Sequence, residues 1–205
     1  MFLVTEDFKT FIKNYRITTA MVGICLLFMI LTTVFGGYNA LNVLRFGGLQ
    51  HDLIEQGEVW RILSYAFMHN SYQHFFLNMT FLIILGRPLE KALGSIKFLI
   101  VYLSSAVFTG IVIYLVYTSS TISSGSSGVG YGFLGMYLYI IVFQKQLLSL
   151  NDRKFIVTFL AIGLISSFIV PSTSLIGHLA GLIGGIIISP FLLNKRTTFQ
   201  SYLNA

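Results

Sequence analysis

The chain has 205 residues, of which 55% are hydrophobic, 15% aromatic and only 10% charged, with net charge +6. A soluble domain carries about 25% charged residues, so this chain cannot clothe a water-facing surface. Three prolines, one cysteine and the high apolar fraction exclude collagen-like, disordered and disulfide-framework classes.

The charges are confined to short gaps. Four stretches lack Asp, Glu, Lys and Arg: 17–44, 62–86, 98–144 and 155–194. A spanning helix needs about 20 apolar residues, so the first two stretches hold one span each and the longer two hold two each. The expected spans are 17–37, 66–86, 98–118, 127–145, 155–170 and 175–193. The predicted fold class is all-α, a polytopic membrane bundle of six helices. Its parts are an N-terminal segment 1–16, a core 17–193 and a tail 194–205.

In chain order, residues 1–16 place Phe8, Phe11, Ile12 and Tyr15 at helical spacing opposite charges. They read either as a short helix on the inner leaflet or as a frayed polar terminus. The first span starts late and ends without an Ala-x-Ala-like site, which argues against a cleaved signal peptide. Cys25 lies mid-span, so no intramolecular disulfide is expected. The connection 38–65 mixes polar residues with Leu41, Val43, Leu44, Leu53 and Ile54, and is expected to pack on the membrane surface. Between the third and fourth spans, Ser119–Gly128 has the composition of a flexible linker but only about ten residues in which to turn. Irregular backbone near membrane depth must be buried in protein or line water.

Placing residues 1–16 on the cytoplasmic side puts 11 of the 13 basic residues inside, with only Arg45 and Arg61 outside. The acids show no such bias. This is the positive-inside pattern. It predicts both termini in the cytoplasm of a plasma-membrane protein, and it makes the basic balance a statement about topology, with no nucleic-acid partner.

Polar side chains at membrane depth are costly and mark candidate sites. His69, His74 and His178 lie in, or just before, the first half of even-numbered spans, and Ser127 opens the fourth. Three spans thus bring polar groups to one depth, the outer third of the bilayer. Gly128, Gly132 and Gly135 recur at i, i+4 and i+7; His178, Gly181 and Gly185 recur at i, i+3 and i+7. Such smooth faces let backbones approach closely, although the same faces serve ordinary helix packing. Serine needs a base to accept its proton, and histidine is the usual one. Ser127 and His178 are the candidate pair, and no span contains an Asp or Glu to make a third member. His74 and Asn78, four apart on one helix face, are candidate donors to an oxyanion. A zinc site is the weaker reading, because the His69–His74 spacing does not put both rings on one helix face and no acid stands nearby. No metal or cofactor is expected.

Together these residues resemble the rhomboid intramembrane serine proteases. The Gly-x-Ser-Gly motif is Gly125-Ser126-Ser127-Gly128; His-x4-His-x3-Asn is His69, His74 and Asn78; His-x2-Gly-x3-Gly is His178, Gly181 and Gly185. Trp60-Arg61 and Gly86-x3-Glu90-x3-Gly94 also match, as scaffold. Ser126 stands where the family often has Ala, and Gly130 replaces a bulkier residue.

The resemblance implies Ser127 as nucleophile and His178 as general base, with an oxyanion hole of His74, Asn78 and the Ser127 backbone N–H. By the same resemblance His69 braces the first loop or second span, Tyr131 stacks on His178, and Gly125 lets the turn approach the substrate carbonyl. Substrates would be single-span proteins entering from the bilayer between the second and fifth spans, beneath the turn 170–173. The rival functions are a membrane transporter, disfavoured by the lack of an inverted repeat and of intramembrane acids, and a catalytically inactive rhomboid-like protein that only binds helices. The oligomeric state is open.

Overall fold

The computed structural model describes residues 1–3, 5–117, 121–170, 173–193 and 199. Among them every regular element is helical, and the sole β-feature is an isolated antiparallel bridge between Leu49 and Ser123. The elements are α1 (Phe8–Asn14), α2 (Arg16–Val34), α3 (Ala40–Arg45), α4 (His51–Glu55), α5 (Arg61–Ser64), α6 (Tyr72–Phe81), α7 (Arg87–Leu93), α8 (Ser95–Val116), α9 (Ser127–Phe143), α10 (Leu150–Ile169) and α11 (Leu175–Leu192). A π-helical turn, Leu82–Gly86, joins α6 to α7. By length and composition α2, α8 and α11 can cross a membrane, and α9 is a shorter apolar helix.

The outer surface says which solvent these helices face. Ile30, Phe76, Leu115, Phe143, Phe168 and Phe191 are all exposed, on different helices. Contiguous apolar surface on this scale marks contact with lipid or another protein. Here large apolar side chains are exposed on α2, α6, α8, α9, α10 and α11.

The core is built around α9. Residues 128–137 are all buried, which is unusual for a helix with this many glycines unless its neighbours come very close. They do. A Cβ on Gly185 would stand 1.9 Å from the Gly132 carbonyl oxygen, one on Gly181 2.0 Å from that of Gly128, and one on Gly135 2.1 Å from that of Leu182. Backbone meets backbone along the whole α9–α11 seam, the arrangement that small residues permit between membrane helices.

Several boundaries differ from those read off the sequence. The second span does not begin at 66: residues 66–70 turn without forming a helix, and Ser71 caps α6 by accepting the His74 N–H at 3.1 Å. The fifth helix begins five residues earlier than expected, at Leu150, because Ser149 accepts the Asp152 N–H at 3.1 Å and so caps a charged first turn. A charge-free window misses that turn by construction. The Tyr137 hydroxyl of α9 donates to the Leu85 carbonyl within the π turn at 2.8 Å and so ties α9 to this junction.

The long connection 38–65 folds onto the protein as α3, α4 and α5. Arg61 organises it, donating through Nη1 to the carbonyls of Leu44 at 2.7 Å and Gly48 at 2.6 Å, and through Nε to Glu58 at 2.8 Å. His51 stacks on Tyr114 of α8 with centroids 4.9 Å apart. Glu90 acts at the opposite end of the bundle. Its two oxygens accept the Ile17 and Thr18 N–H groups, each at 2.8 Å, and so cap the start of α2. Residues 1–16 contain the short helix α1, capped by Asp7, and are tied down on either side of Val4 rather than frayed. Phe2 stacks on Phe155 at 4.4 Å, and Glu6 meets Arg87 at 2.6 Å. Of the tail 194–205 only Phe199 is described; Lys195 and Arg196 lie outside the described residues, as do Ser119, Ser120, Pro171 and Ser172.

Candidate active site

Ser127 is the first residue of α9, and the turn before it is held from two sides. Leu49 and Ser123 exchange backbone hydrogen bonds of 2.8 Å, and the Gly125 N–H donates to the Tyr65 carbonyl at 2.9 Å. Gly125 has φ +120°, a conformation that costs glycine little and other residues much. A Cβ there would also lie 2.6 Å from Cε1 and 2.7 Å from Nε2 of His74. Gly125 is therefore required twice, for its dihedral angle and for the ring lying against it.

The two candidate serines separate cleanly. Ser126 is 1% exposed and its Oγ has no hydrogen-bond partner among the described residues. Ser127 is half-buried and lines two cavities. One, of about 370 Å³, is walled by polar groups including Asn70, Thr121, Ser123 and Ser174. The other, of about 280 Å³, lies between α6 and α10 and is walled mainly by apolar groups, among them Leu77, Phe81, Phe159 and Ile162. Four residues line both: His74, Ser127, Thr173 and His178. They stand where a polar space meets an apolar one.

His178, in the first turn of α11, is buried. Its ring stacks on Tyr131 of α9 with centroids 4.1 Å apart and planes 13° apart. Its Nδ1 lies 2.6 Å from the Ser167 hydroxyl of α10. Gly181, one turn on, is the residue in backbone contact with Gly128, the neighbour of Ser127. The glycine seam thus fixes the helix that carries the histidine against the start of the helix that carries the serine.

On α6, the His74 Nδ1 lies 2.8 Å from Asn70 Oδ1, and the Asn78 side-chain N–H donates to the His74 carbonyl at 2.9 Å. One amide N–H of Asn78 is so used, and the second remains available. For His74 to donate from Nε2, the ring must carry a proton there. That holds when the Asn70 amide is turned to present its N–H to Nδ1, or when the ring is doubly protonated. His69 is buried in the turn before α6, edge-on to His74 at 5.2 Å and to Phe75 at 5.6 Å. It packs; it lines neither of the two cavities.

Comparison with known proteins decides the family. The rhomboid domain matches residues 56–195. The chain is 30% identical over 200 residues to the Bacillus subtilis rhomboid-family protein YdcA, covering 96% of this chain and 98% of that one. It is 32% identical over 179 residues to the Bacillus subtilis rhomboid protease GluP, covering 87% of this chain but 35% of GluP, and 27% identical over 176 residues to the Haemophilus influenzae rhomboid protease GlpG, covering 84% and 88%. The chain belongs to the rhomboid family.

This rhomboid is accordingly an intramembrane serine endopeptidase with a helical membrane bundle, and the transporter reading is not favoured. Among its described residues no group of three or more His, Cys, Asp or Glu is placed to share a metal ion. Sequence reasoning missed three residues at the site: Asn70 against His74, Thr173 between the cavities, and Ser167 on the histidine. All three lie in charge-free stretches; Thr173 falls in the turn 170–173 expected over the substrate route, and the trace of Ser167 is a Ser166-Ser167 pair. Serine is too common in membrane helices for that trace to select it.

Proposed function

We propose that this rhomboid cuts single-span membrane proteins near the outer face of the bilayer by a Ser127–His178 dyad. The observation that carries the reading is the placement of His74, Ser127, Thr173 and His178 on the walls of both cavities. Hydrolysis needs water, which the polar cavity can hold. The substrate is a membrane helix, which the apolar opening between α6 and α10 can admit. Ser127 is at the junction.

In this mechanism His178 takes the Ser127 proton as Oγ attacks the scissile carbonyl carbon. The carbonyl oxygen becomes an oxyanion held by the Ser127 N–H with the His74 and Asn78 side chains. Collapse breaks the C–N bond, and His178 returns its proton to the leaving amine. A water then gives its proton to His178 and attacks the acyl carbon; collapse breaks the C–Oγ bond, His178 returns the proton to Ser127 Oγ, and the acid is released. Helical backbone must unwind to expose a carbonyl, so substrates have weak, small-residue segments at that depth.

Each oxyanion donor typically contributes about 10²–10³ in kcat. His74→Ala and Asn78→Ala should each lower kcat on that scale with a smaller change in KM, since the contact strengthens as charge develops. Fluorophosphonate labelling of Ser127 should slow but persist. Wild-type kcat in both variants would return His74 and Asn78 to a packing role.

For topology we propose six spans, α2, α6–α7, α8, α9, α10 and α11, with both termini in the cytoplasm and the polar cavity open to the outside. Support comes from the segregation of loop contacts: Leu49–Ser123, His51–Tyr114 and Tyr117–Ser174 at one end, Glu6–Arg87 and Lys97–Leu192 at the other. Cys25 is buried and gives a quiet background for thiol labelling. A cysteine at Gln56 should react in intact cells with an impermeant reagent, and one at Asn151 only after lysis. The reverse pattern would invert the scheme.

A further inference from the structure

The neighbourhood of Ser167 contains more contacts than one hydroxyl can satisfy arbitrarily. Its Oγ lies 2.7 Å from the Gly163 carbonyl oxygen, 2.6 Å from His178 Nδ1 and 3.3 Å from the Tyr131 hydroxyl. All of these atoms are held in place. Ser167 and His178 are buried, Tyr131 is stacked on the imidazole, and a Cβ on Gly163 would stand 2.5 Å from the Tyr131 oxygen.

A serine hydroxyl has one proton to give and two lone pairs to receive with. The Gly163 carbonyl can only accept. If Ser167 gave its proton to Nδ1, two oxygens 2.7 Å apart would face each other with no proton between them. If Ser167 gives its proton to Gly163, both lone pairs are free, one for Nδ1–H of His178 and one for the Tyr131 O–H. Only the second assignment makes every contact a hydrogen bond. It places the imidazole proton on Nδ1 and leaves Nε2 with its lone pair, the state in which the ring can accept a proton from serine.

We infer that Ser167 is a positioning residue, which fixes the Nδ1–H tautomer and the ring plane of His178 and so takes, as a neutral hydroxyl on α10, the place a carboxylate holds in a triad. This rests on the assignment of His178 as general base. A triad carboxylate also stabilises the charged imidazolium; Ser167 supplies orientation and one acceptor, with no charge buried in the bundle.

The test uses full-length protein in detergent, uniformly labelled with ¹⁵N-histidine, at a pH where the ring is neutral. His178 signals are assigned by difference from His178→Ala. Wild-type protein should show Nδ1 protonated and Nε2 bare, and Ser167→Ala should show a mixture or the opposite tautomer. In reporter cleavage, Ser167→Ala should lower kcat about 10–100-fold, the scale known for hydrogen-bond partners that orient metal-ligating histidines, with KM nearly unchanged. Ser167→Thr, which keeps the hydroxyl, should recover most of that loss. Ser189→Ala is the control: its Oγ makes the same bond to a carbonyl four residues back, to Gly185 at 2.6 Å, far from His178, and it should leave kcat unaltered.

A wild-type His178 protonated on Nε2 would overturn the inference, and needs no variant to fold. So would a Ser167→Ala protein with wild-type tautomer and kcat. Failure of the dyad reads out differently: Ser127→Ala or His178→Ala protein would then cleave the reporter, whatever the tautomer.

Discussion

Replacing Ser127 or His178 by alanine should abolish cleavage of a single-span reporter, with loss of about 10⁶ in kcat expected from the behaviour of nucleophile and base in a soluble serine protease. The two changes should not add, because either one removes the same proton transfer, so the double variant should be no worse than each alone. Ser126→Ala is the informative contrast. Its hydroxyl is buried without a partner among the described residues and lines neither cavity. Removing it eliminates an unmet polar group and should leave turnover within a few-fold of wild type. Steady-state cleavage in liposomes and fluorophosphonate labelling, each beside a thermal melt, measure all four proteins. Loss of activity in Ser126→Ala with full activity in Ser127→Ala would transfer the nucleophile to the neighbouring residue.

Alanine at Gly185 or Gly181 should be the most damaging pair of small changes outside the reacting groups. Each new methyl carbon would stand within 2.0 Å of a carbonyl oxygen of α9. Side chains can rotate away from a clash, but a helix backbone cannot, so α9 and α11 must separate. Overpacking of this kind costs typically about 1–3 kcal/mol and occasionally more; a backbone-to-backbone clash belongs at the upper end. The same displacement moves His178 away from Ser127, so kcat should fall further than the fraction of folded protein. Gly23→Ala is the control, since nothing lies within 4 Å of its added Cβ, and in mid-helix it should be neutral or stabilising by up to about 1 kcal/mol. Melting temperature and specific activity of the folded fraction separate the two effects. A Gly185→Ala protein with wild-type melting and activity would mean that the two backbones are not in contact.

Much of this site could be read from the chain because the constraint is local. Charge cannot sit in hydrocarbon, so charge-free stretches declare the membrane segments with no knowledge of neighbours. A 3.6-residue period aligns His178, Gly181 and Gly185 on one face, and Gly128, Gly132 and Gly135 on another. Ser127, His178 and the α6 pair His74 and Asn78 follow from polar groups placed at one depth on such faces. That the two glycine faces press on each other, and that Tyr131 lies flat on His178, are consistent with those faces but are fixed by packing.

Other features depend on partners distant in sequence, which no local pattern encodes. Phe2 finds Phe155, and Leu49 finds Ser123, across long separations in the sequence. The connection 38–65 folds because Arg61 meets three acceptors brought to it by its own turns. Ser167 looks like any serine in an apolar helix until α10 sets it 2.6 Å from Nδ1 of His178. The sequence by itself determined a bilayer-embedded helical protein and the candidate side chains for acyl transfer, because burial of charge and helical period act residue by residue. Which hydroxyl orients the histidine, and which of two adjacent serines faces the cavities, was decided only by tertiary structure, because a hydrogen bond depends on distances of tenths of an ångström between helices far apart in the chain.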